Sequence, residues 1–465
     1  MLAACGGGDS APSPTPTPTP PPAATAPRFT SATSASVVEN RADNFYTVSA
    51  SDPQGDAISL AISGGVDADK FVLGTDGGLR FNTPPNFDLP IDANGDNIYE
   101  VTLRGSAGGE TAFLNFVVTV TNDREGIAVR RVISGLGETV AMDAMRSDLL
   151  VADRSGRVLV VNPATGAIAE DPFIRDNRRP GEILALAFGF PGMPYQEGIY
   201  IVTHSPTDGL WLQGFDPTQG RSLQIRLGDP WAERVTVSLV AQRELYIAIG
   251  DRSGSNAQNS ASPYGKLYRV SEYCHYCYAA GPRPARLVGE PRLWGDGIQM
   301  PGGFSREADY LHLTDRGSTA FHELTRFRRD WQPLDFGWPF YEGSSALSAN
   351  PPAIVNGPSI VYRLGNGRAE GTGITAGLIN DGNFFKQLGQ SYVFGDTRGA
   401  VFAVDRNRLS DGRLHGASVI ENRTKDFAPD VGTLDTVLAF AQGGGSDHFF
   451  ILDGDGEIFR VEGQS

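Results

Sequence analysis

Apolar residues fall in short runs separated by Gly, Pro, Asn, Asp and Ser, a pattern that predicts strands along most of the chain and few helices. From Arg28 to about Asn122 the runs are ASVV, FYTVSA, AISLAIS, KFVL, GLRFN, IYEVTLRG and TAFLNFVVTVT, divided by acidic or Gly-rich turns. About seven strands in roughly 95 residues match the size and spacing of an immunoglobulin-like Greek-key sandwich.

Beyond that module one hairpin recurs. LLVADRSGRVLVV begins at Leu149, IYIVTHSPTDGLWLQGF at Ile199, LYIAIGDRSGS with a later KLYRV at Leu245, YLHLTDRGS at Tyr310, YVFGDTRGAVFAV at Tyr392 and FFILDGDGEIFRV at Phe449. A repeat every few tens of residues in all-β sequence predicts a propeller, and six copies predict six blades of roughly 56 residues, enough for four strands each. VRRVI, Val129 to Ile133, is placed to join the last blade and close the ring. The fold class expected is therefore all-β: a tether over 1–27, a sandwich over 28–124 and a six-bladed β-propeller over 125–465. The repeated turn brings Asp153, Asp251, Asp315, Asp396 and Asp453 to one face, four of them with Arg nearby. Asp opens such turns by bonding its own backbone and Gly supplies the positive φ, so corner-making explains these residues without chemistry. Asp251, Arg252, Asp315 and Arg316 are the candidates for a ligand role.

Lys and Arg number 39 and Asp and Glu 54, a net charge of −15, and no basic run occurs. That excludes nucleic acid as an expected partner and makes divalent cations the expected ones. No apolar run approaches the roughly 20 residues of a membrane span. At the start, Leu2-Ala3-Ala4 before Cys5 resembles the lipobox of a bacterial lipoprotein, although the n-region and most of the h-region are absent, which leaves a chance match as the other reading. Lipidation at Cys5 implies membrane anchoring in the cell envelope, on the periplasmic or cell-surface side. The stretch SAPSPTPTPTPPPAATAP, Ser10 to Pro27, then serves as a polyproline-type spacer.

Asp92-Ala93-Asn94-Gly95-Asp96-Asn97 sets Asp92, Asn94 and Asp96 at alternate positions around a glycine, which suits a hard cation or a polar hairpin loop. SVVEN with Glu39, ASDPQGD with Asp52 and Asp56, PPNFD with Asp88, and VTVTND together resemble a bacterial cadherin-like domain. The resemblance implies calcium held by such acidic residues at one end of the sandwich. Arg104-Gly105-Ser106 and Asn122-Asp123 depart from the family's pattern, so the implied interdomain cluster is incomplete and the local site at Asp92, Asn94 and Asp96 is what is left.

ETVAMDAMRSDLLVADRSGRVLVVN, EILALAFGFPG, LYIAIGDRSGSNAQNSASPYGKLYRV, FGWPFYEGS, SYVFGDTRGAVFAVD and FFILDGDGEIFRV, in order over about Gly126 to Gly463, resemble the soluble PQQ-dependent glucose/sorbosone dehydrogenases. The resemblance implies a calcium-bound quinone at the mouth of the ring and a histidine that takes a sugar hydroxyl proton. At the histidine's position after ILALAF stands Gly189, so no catalytic base is assigned. Gln299-Met300-Pro301 replaces Arg-Asn-Pro, VSEYCHYCYAAGPRP replaces the calcium-supporting segment, and Arg252-Ser253-Gly254 replaces an Arg-Asn pair. His204 and His312 lie in or beside strands and read as core or rim residues. Cys274-His275-Tyr276-Cys277 reads as a local disulfide between Cys274 and Cys277 in an oxidising compartment. The expectation is a calcium-binding sandwich with a non-catalytic propeller that binds a carbohydrate or protein partner; the alternative is a PQQ- and calcium-dependent sugar dehydrogenase.

Overall fold

In the computed structural model the protein is all-β, with many small sheets and, among the described residues, one α-helix, Pro172–Asn177. Apart from Met1, the structure describes residues 24–189, 198–216, 221–229, 236–241, 244–270, 291–353, 356–383, 385–442 and 447–463. The lipobox, most of the tether and Cys274 to Cys277 lie outside them. No helix among the described residues is long and apolar enough to cross a membrane. The chain divides into two compact units, Met1–Asn86 with Pro90–Thr121, and Phe87–Leu89 with Asn122–Ser465.

All seven strand runs expected in the first unit form strands. A four-stranded sheet has the order Ser34–Val38, Glu110–Thr121, Ile98–Ala107, Ser59–Gly64, with the first pair parallel and the rest antiparallel. A three-stranded sheet has the order Tyr46–Thr47, Gly78–Phe81, Phe71–Leu73. Alternation in Ile98–Ala107 buries Tyr99, Val101 and Leu103, and Phe81 of the smaller sheet meets Tyr99 edge-on at 5.0 Å between ring centres.

Among the described residues the second unit contains, besides the two-stranded pair Tyr341–Glu342 and Ser345–Ala346, six sheets of four or five strands built from consecutive neighbours. The first holds Thr139–Met145, Asp148–Asp153, Val158–Val161 and Ile168–Glu170. The second holds Glu182–Gly189, Gly198–Ser205, Gly209–Asp216 and Arg221–Gly228. The third is built on Val237–Ala241, Leu245–Ile249, Lys266–Val270 and Arg292–Asp296, and the fourth on Pro301–Glu307, Tyr310–Asp315, Phe321–Arg328 and Ile360–Leu364. The fifth holds Ile374–Asp381, Gln390–Asp396, Val401–Asp405 and Glu421–Asn422. In the sixth, Val437–Gln442, His448–Asp453 and Ile458–Gly463 are completed by Ile127–Ile133 from the start of the unit.

Each hairpin copy read in the sequence supplies the second strand of one sheet, and all but the copy at Tyr310 supply the third as well. Those strands read as unbroken apolar runs because both their faces are covered: all five residues of Leu245–Ile249 are buried. Apolar clusters lie between the first and second sheets around Ile201, the second and third around Ile247, and the third and fourth around Leu311. Others join the fourth to the fifth around Phe394, the fifth to the sixth around Phe449, and the sixth to the first around Leu452. Burying one such side chain contributes about 1.5–3 kcal/mol. The first strands of successive sheets also touch, from Thr139–Met145 through to Val437–Gln442, which touches Thr139–Met145 again.

Candidate functional site

The repeated turns were the first place to seek chemistry. Asp153, Asp396 and Asp453 make the same corner. In each, the backbone N–H of the aspartate donates to the carbonyl four residues on, and a glycine three residues on, Gly156, Gly399 or Gly456, donates back to the aspartate carbonyl. Those glycines have φ of +96°, +79° and +88°, which L side chains rarely adopt.

The carboxylates turn inward. Asp153 accepts from Arg157 N at 2.9 Å and Ser155 Oγ at 2.7 Å, and Asp251 from Asn256 N at 2.6 Å and Ser253 Oγ at 2.7 Å. The other three clamp the loop that enters their sheet. Asp315 accepts from Gln299 N at 2.8 Å and Met300 N at 2.6 Å. Asp396 accepts from Thr372 N at 3.0 Å and Gly373 N at 3.1 Å, and Asp453 from Asp435 N at 2.7 Å and Thr436 N at 3.2 Å.

Of the four ligand candidates, Asp251 and Asp315 meet the same segment: Asp251 N donates to Ile298 O, and Asp315 holds the next two amides. Arg316 Nε is spent on Ile374 O at 2.9 Å. Arg252 is exposed and, among the described residues, pairs with none.

The residues expected at a quinone site do not fit one. A Cβ at Gly189 meets the Cβ of Ala241 at 2.6 Å and its carbonyl oxygen at 2.8 Å, so the position has no room for an imidazole. The Gln299 and Met300 amides are taken by Asp315, and Gln299 Nε2 donates to Ser318 Oγ at 2.7 Å. Among the described residues, Arg306 reaches this closed position, its Nη1 donating to Ala241 O at 2.7 Å. A guanidinium stays protonated and cannot act as the missing base. His204 is buried with Nδ1 3.9 Å from a Glu182 oxygen; His312 is fully buried with Nε2 2.9 Å from Glu307. Burial lowers the His312 pKa, while its cationic partners Arg326 and Arg406 help hold the Glu307 carboxyl down at about 2. Both histidines are parts of the packing.

In the first unit the acidic loop folds on backbone donors. Asp92 accepts from Asp96 N at 2.9 Å and Asn97 N at 3.2 Å, Asn94 Oδ1 from Asp96 N at 3.3 Å, and Asp96 from Ile98 N at 2.8 Å. Asp67, not singled out by the sequence, is 1% exposed and accepts from Ala93 N and Glu100 N, both at 2.8 Å, bracing the loop from below. Asp52 holds the amides of Gln54 and Asp56, Asp56 itself is exposed, and Glu39 is buried. Asp88 groups with the second unit, where Arg423 Nη1 lies 3.2 Å from its carboxylate. Among the described residues no three His, Cys, Asp or Glu side chains group as a metal site would require.

Two features were not anticipated. The first is an acid pair: Asp315 and Glu323 sit directly opposite each other in the fourth sheet. Burial raises Asp315 to about 7, against the pull of its backbone donors. Burial, with the Asp315 and Glu342 carboxylates nearby, raises Glu323 to about 8. A carboxyl whose pKa is raised on folding binds its proton more tightly in the folded state. Stability from this pair is therefore fully present only below the ordinary carboxyl range at about pH 4 and is lost progressively as pH rises from there to about 7 to 8. Glu323→Gln is expected to match the natural protein in thermal melting at about pH 4 and to exceed it at about pH 9, because it keeps an acceptor for Gly343 N without the charge. An unchanged pH slope in the variant contradicts the assignment.

The second is a cavity of about 210 Å³ lined by the first strand of all six sheets. Five of these strands shift register near their starts, at Thr139/Ala141, Ile183/Ala185, Pro301/Gly303, Ile374/Gly377 and Val437/Ala439. Such bulges re-aim side chains, and Val140, Leu184 and Leu438 at these shifts line the cavity. Nearer the strand ends it is lined by Asp143 and Arg306, 3.5 Å apart. The sequence signal was present but unread: Asp143 interrupts the apolar TVAMDAM, and Gly302-Gly303 marks a bulge.

No protein-family model matches the chain, and no curated protein matches it. Among solved structures, a structural genomics protein of unknown function from Bacteroides thetaiotaomicron is similar over 96% of this chain and 99% of its own, at 10% identity and a TM-score of 0.42.

Proposed function

We infer that this is a binding protein and not an oxidoreductase. On this reading the second unit is a six-bladed propeller of the glucose/sorbosone dehydrogenase type that has given up oxidation and presents its turn face to a carbohydrate or protein partner. The cyclic contacts of the six first strands support the ring, as do the apolar clusters between every successive pair of sheets. The observation that carries the loss of chemistry is Gly189, closed off by Ala241. Arg252 is the turn residue left for a ligand, since the other charged candidates are committed to backbone. The experiment is reconstitution of the full chain with PQQ and calcium, for which this reading predicts neither retained quinone nor sugar-dependent electron transfer.

The first unit, on the same reading, is a cadherin-like sandwich, and a lipidated Cys5 with its Pro/Thr-rich spacer holds both units at the cell envelope. Calcium at Asp92, Asn94 and Asp96 is supported by the composition of the loop, and a cation there has to share oxygens now used by backbone N–H groups. Calcium is expected to raise the melting temperature of a fragment spanning residues 24–124 by mass action on the folded state, and Asp92→Ala with Asp96→Ala to abolish the rise. An unchanged midpoint in calcium and in chelator removes calcium from the account.

A further inference from the structure

We propose that the cavity between the six first strands binds a small zwitterion with an apolar tail, a molecule of the α-amino-acid class. The collar end of the site lies beside the turns, since Thr139, Pro301, Ile374 and Val437 pair with Asp153, Asp315, Asp396 and Asp453, but the proposal does not depend on what binds at the turns. Its lining contains two charged side chains of opposite sign, Asp143 and Arg306. Each is fixed by backbone: Asp143 accepts from Phe188 N at 2.9 Å and Ala144 N at 2.8 Å, and Arg306 donates to Ala241 O at 2.7 Å. Arg306 Nη2 and Asp143 Oδ1 lie 3.5 Å apart, an ion pair longer than a good hydrogen bond. Asp143 is 17% and Arg306 39% exposed, which leaves an acceptor and several donors open to the cavity.

A ligand of net charge would be repelled by one member of this pair. A ligand with adjacent ammonium and carboxylate groups gains two charge-assisted hydrogen bonds and adds no net charge to the cavity. Three residues of strand, at about 3.3 Å each, put about 10 Å between this pair and the collar of Val140, Leu184 and Leu438. Phe304 and Phe440 line the same cavity. The collar of Val140, Leu184 and Leu438 suits an aliphatic or single-ring tail. At about 210 Å³ the cavity is smaller than the roughly 300–1,000 Å³ of sites for drug-sized molecules, which restricts the tail to a few carbons or one ring. The first strands are sheet edges, and their open N–H and C=O groups are available to water or any polar ligand without preference of charge.

The test is thermal melting and calorimetry of the full chain with L-leucine, leucinol, isocaproate and D-glucose as probes. Leucine is expected to bind and stabilise, whereas leucinol, which lacks the carboxylate, and isocaproate, which lacks the ammonium, bind at least about tenfold more weakly. Asp143→Asn and Arg306→Gln should each weaken leucine by about tenfold or more. Leu184→Trp, which fills the collar and leaves both charges in place, should abolish binding while the variant still melts cooperatively. Equal binding of leucinol or isocaproate, binding of glucose without leucine, or no binding of leucine overturns the proposal.

Discussion

Asp396→Ala is expected to destabilise the second unit by about 3–5 kcal/mol, the range for removing one partner of a buried charged network. The carboxylate is fully buried and accepts from Thr372 N, Gly373 N, Arg398 N and Tyr362 Oη at 2.9 to 3.1 Å. Alanine leaves these four donors without their acceptor. Arg252→Ala in the exposed counterpart of this turn should change stability by less than about 0.5 kcal/mol. Denaturant unfolding of both variants, compared through the midpoint at constant slope, checks the pair. A loss at Asp396 under about 1 kcal/mol would mean that the turn carboxylates do not clamp the incoming loops.

Gly189→His, which puts back the residue type that the resembling dehydrogenases carry, is expected to cost about 1–3 kcal/mol and to restore no oxidation. The new Cβ collides with Ala241, and relief requires the first strands of the second and third sheets to part. Even a correctly placed imidazole would lack cofactor support, because the Gln299 and Met300 amides stay with Asp315. Thermal melting and dye reduction measured on the same preparation separate the two effects. A stable variant that gains sugar-dependent dye reduction would show that one residue, and not the whole site, had been lost.

What could be read from the sequence, and what could not, follows from burial. The middle strands of each sheet pack on both faces, so LYIAI and FFILD appear as unbroken apolar runs beside a fixed Asp-x-x-Gly corner, and the repeat is visible by eye. The first strands are less regular, because a bulge breaks their alternation in five sheets and moves Val140, Leu184 and Leu438 to the cavity. Gly302-Gly303 marks one of these shifts, whereas at Val140, Leu184 and Leu438 the shift leaves no compositional trace. Asp143 and Arg306 are 163 residues apart in the chain, and only the contact of the first strands brings them together. The turn aspartates show the opposite case. Their spacing marked the corner correctly, but which backbone amides the carboxylates accept from depends on the loops entering each sheet, and those loops do not repeat.

The central claim is that the second unit binds without oxidising. The direct measurement is sugar-dependent reduction of an artificial electron acceptor by the full chain after incubation with PQQ and calcium, followed by desalting and a spectrum of the retained quinone. The predicted result is no quinone band and a rate equal to that of the protein-free control with glucose and related aldoses. A quinone band that survives desalting together with sugar-dependent reduction above that control would contradict the account and restore the dehydrogenase reading.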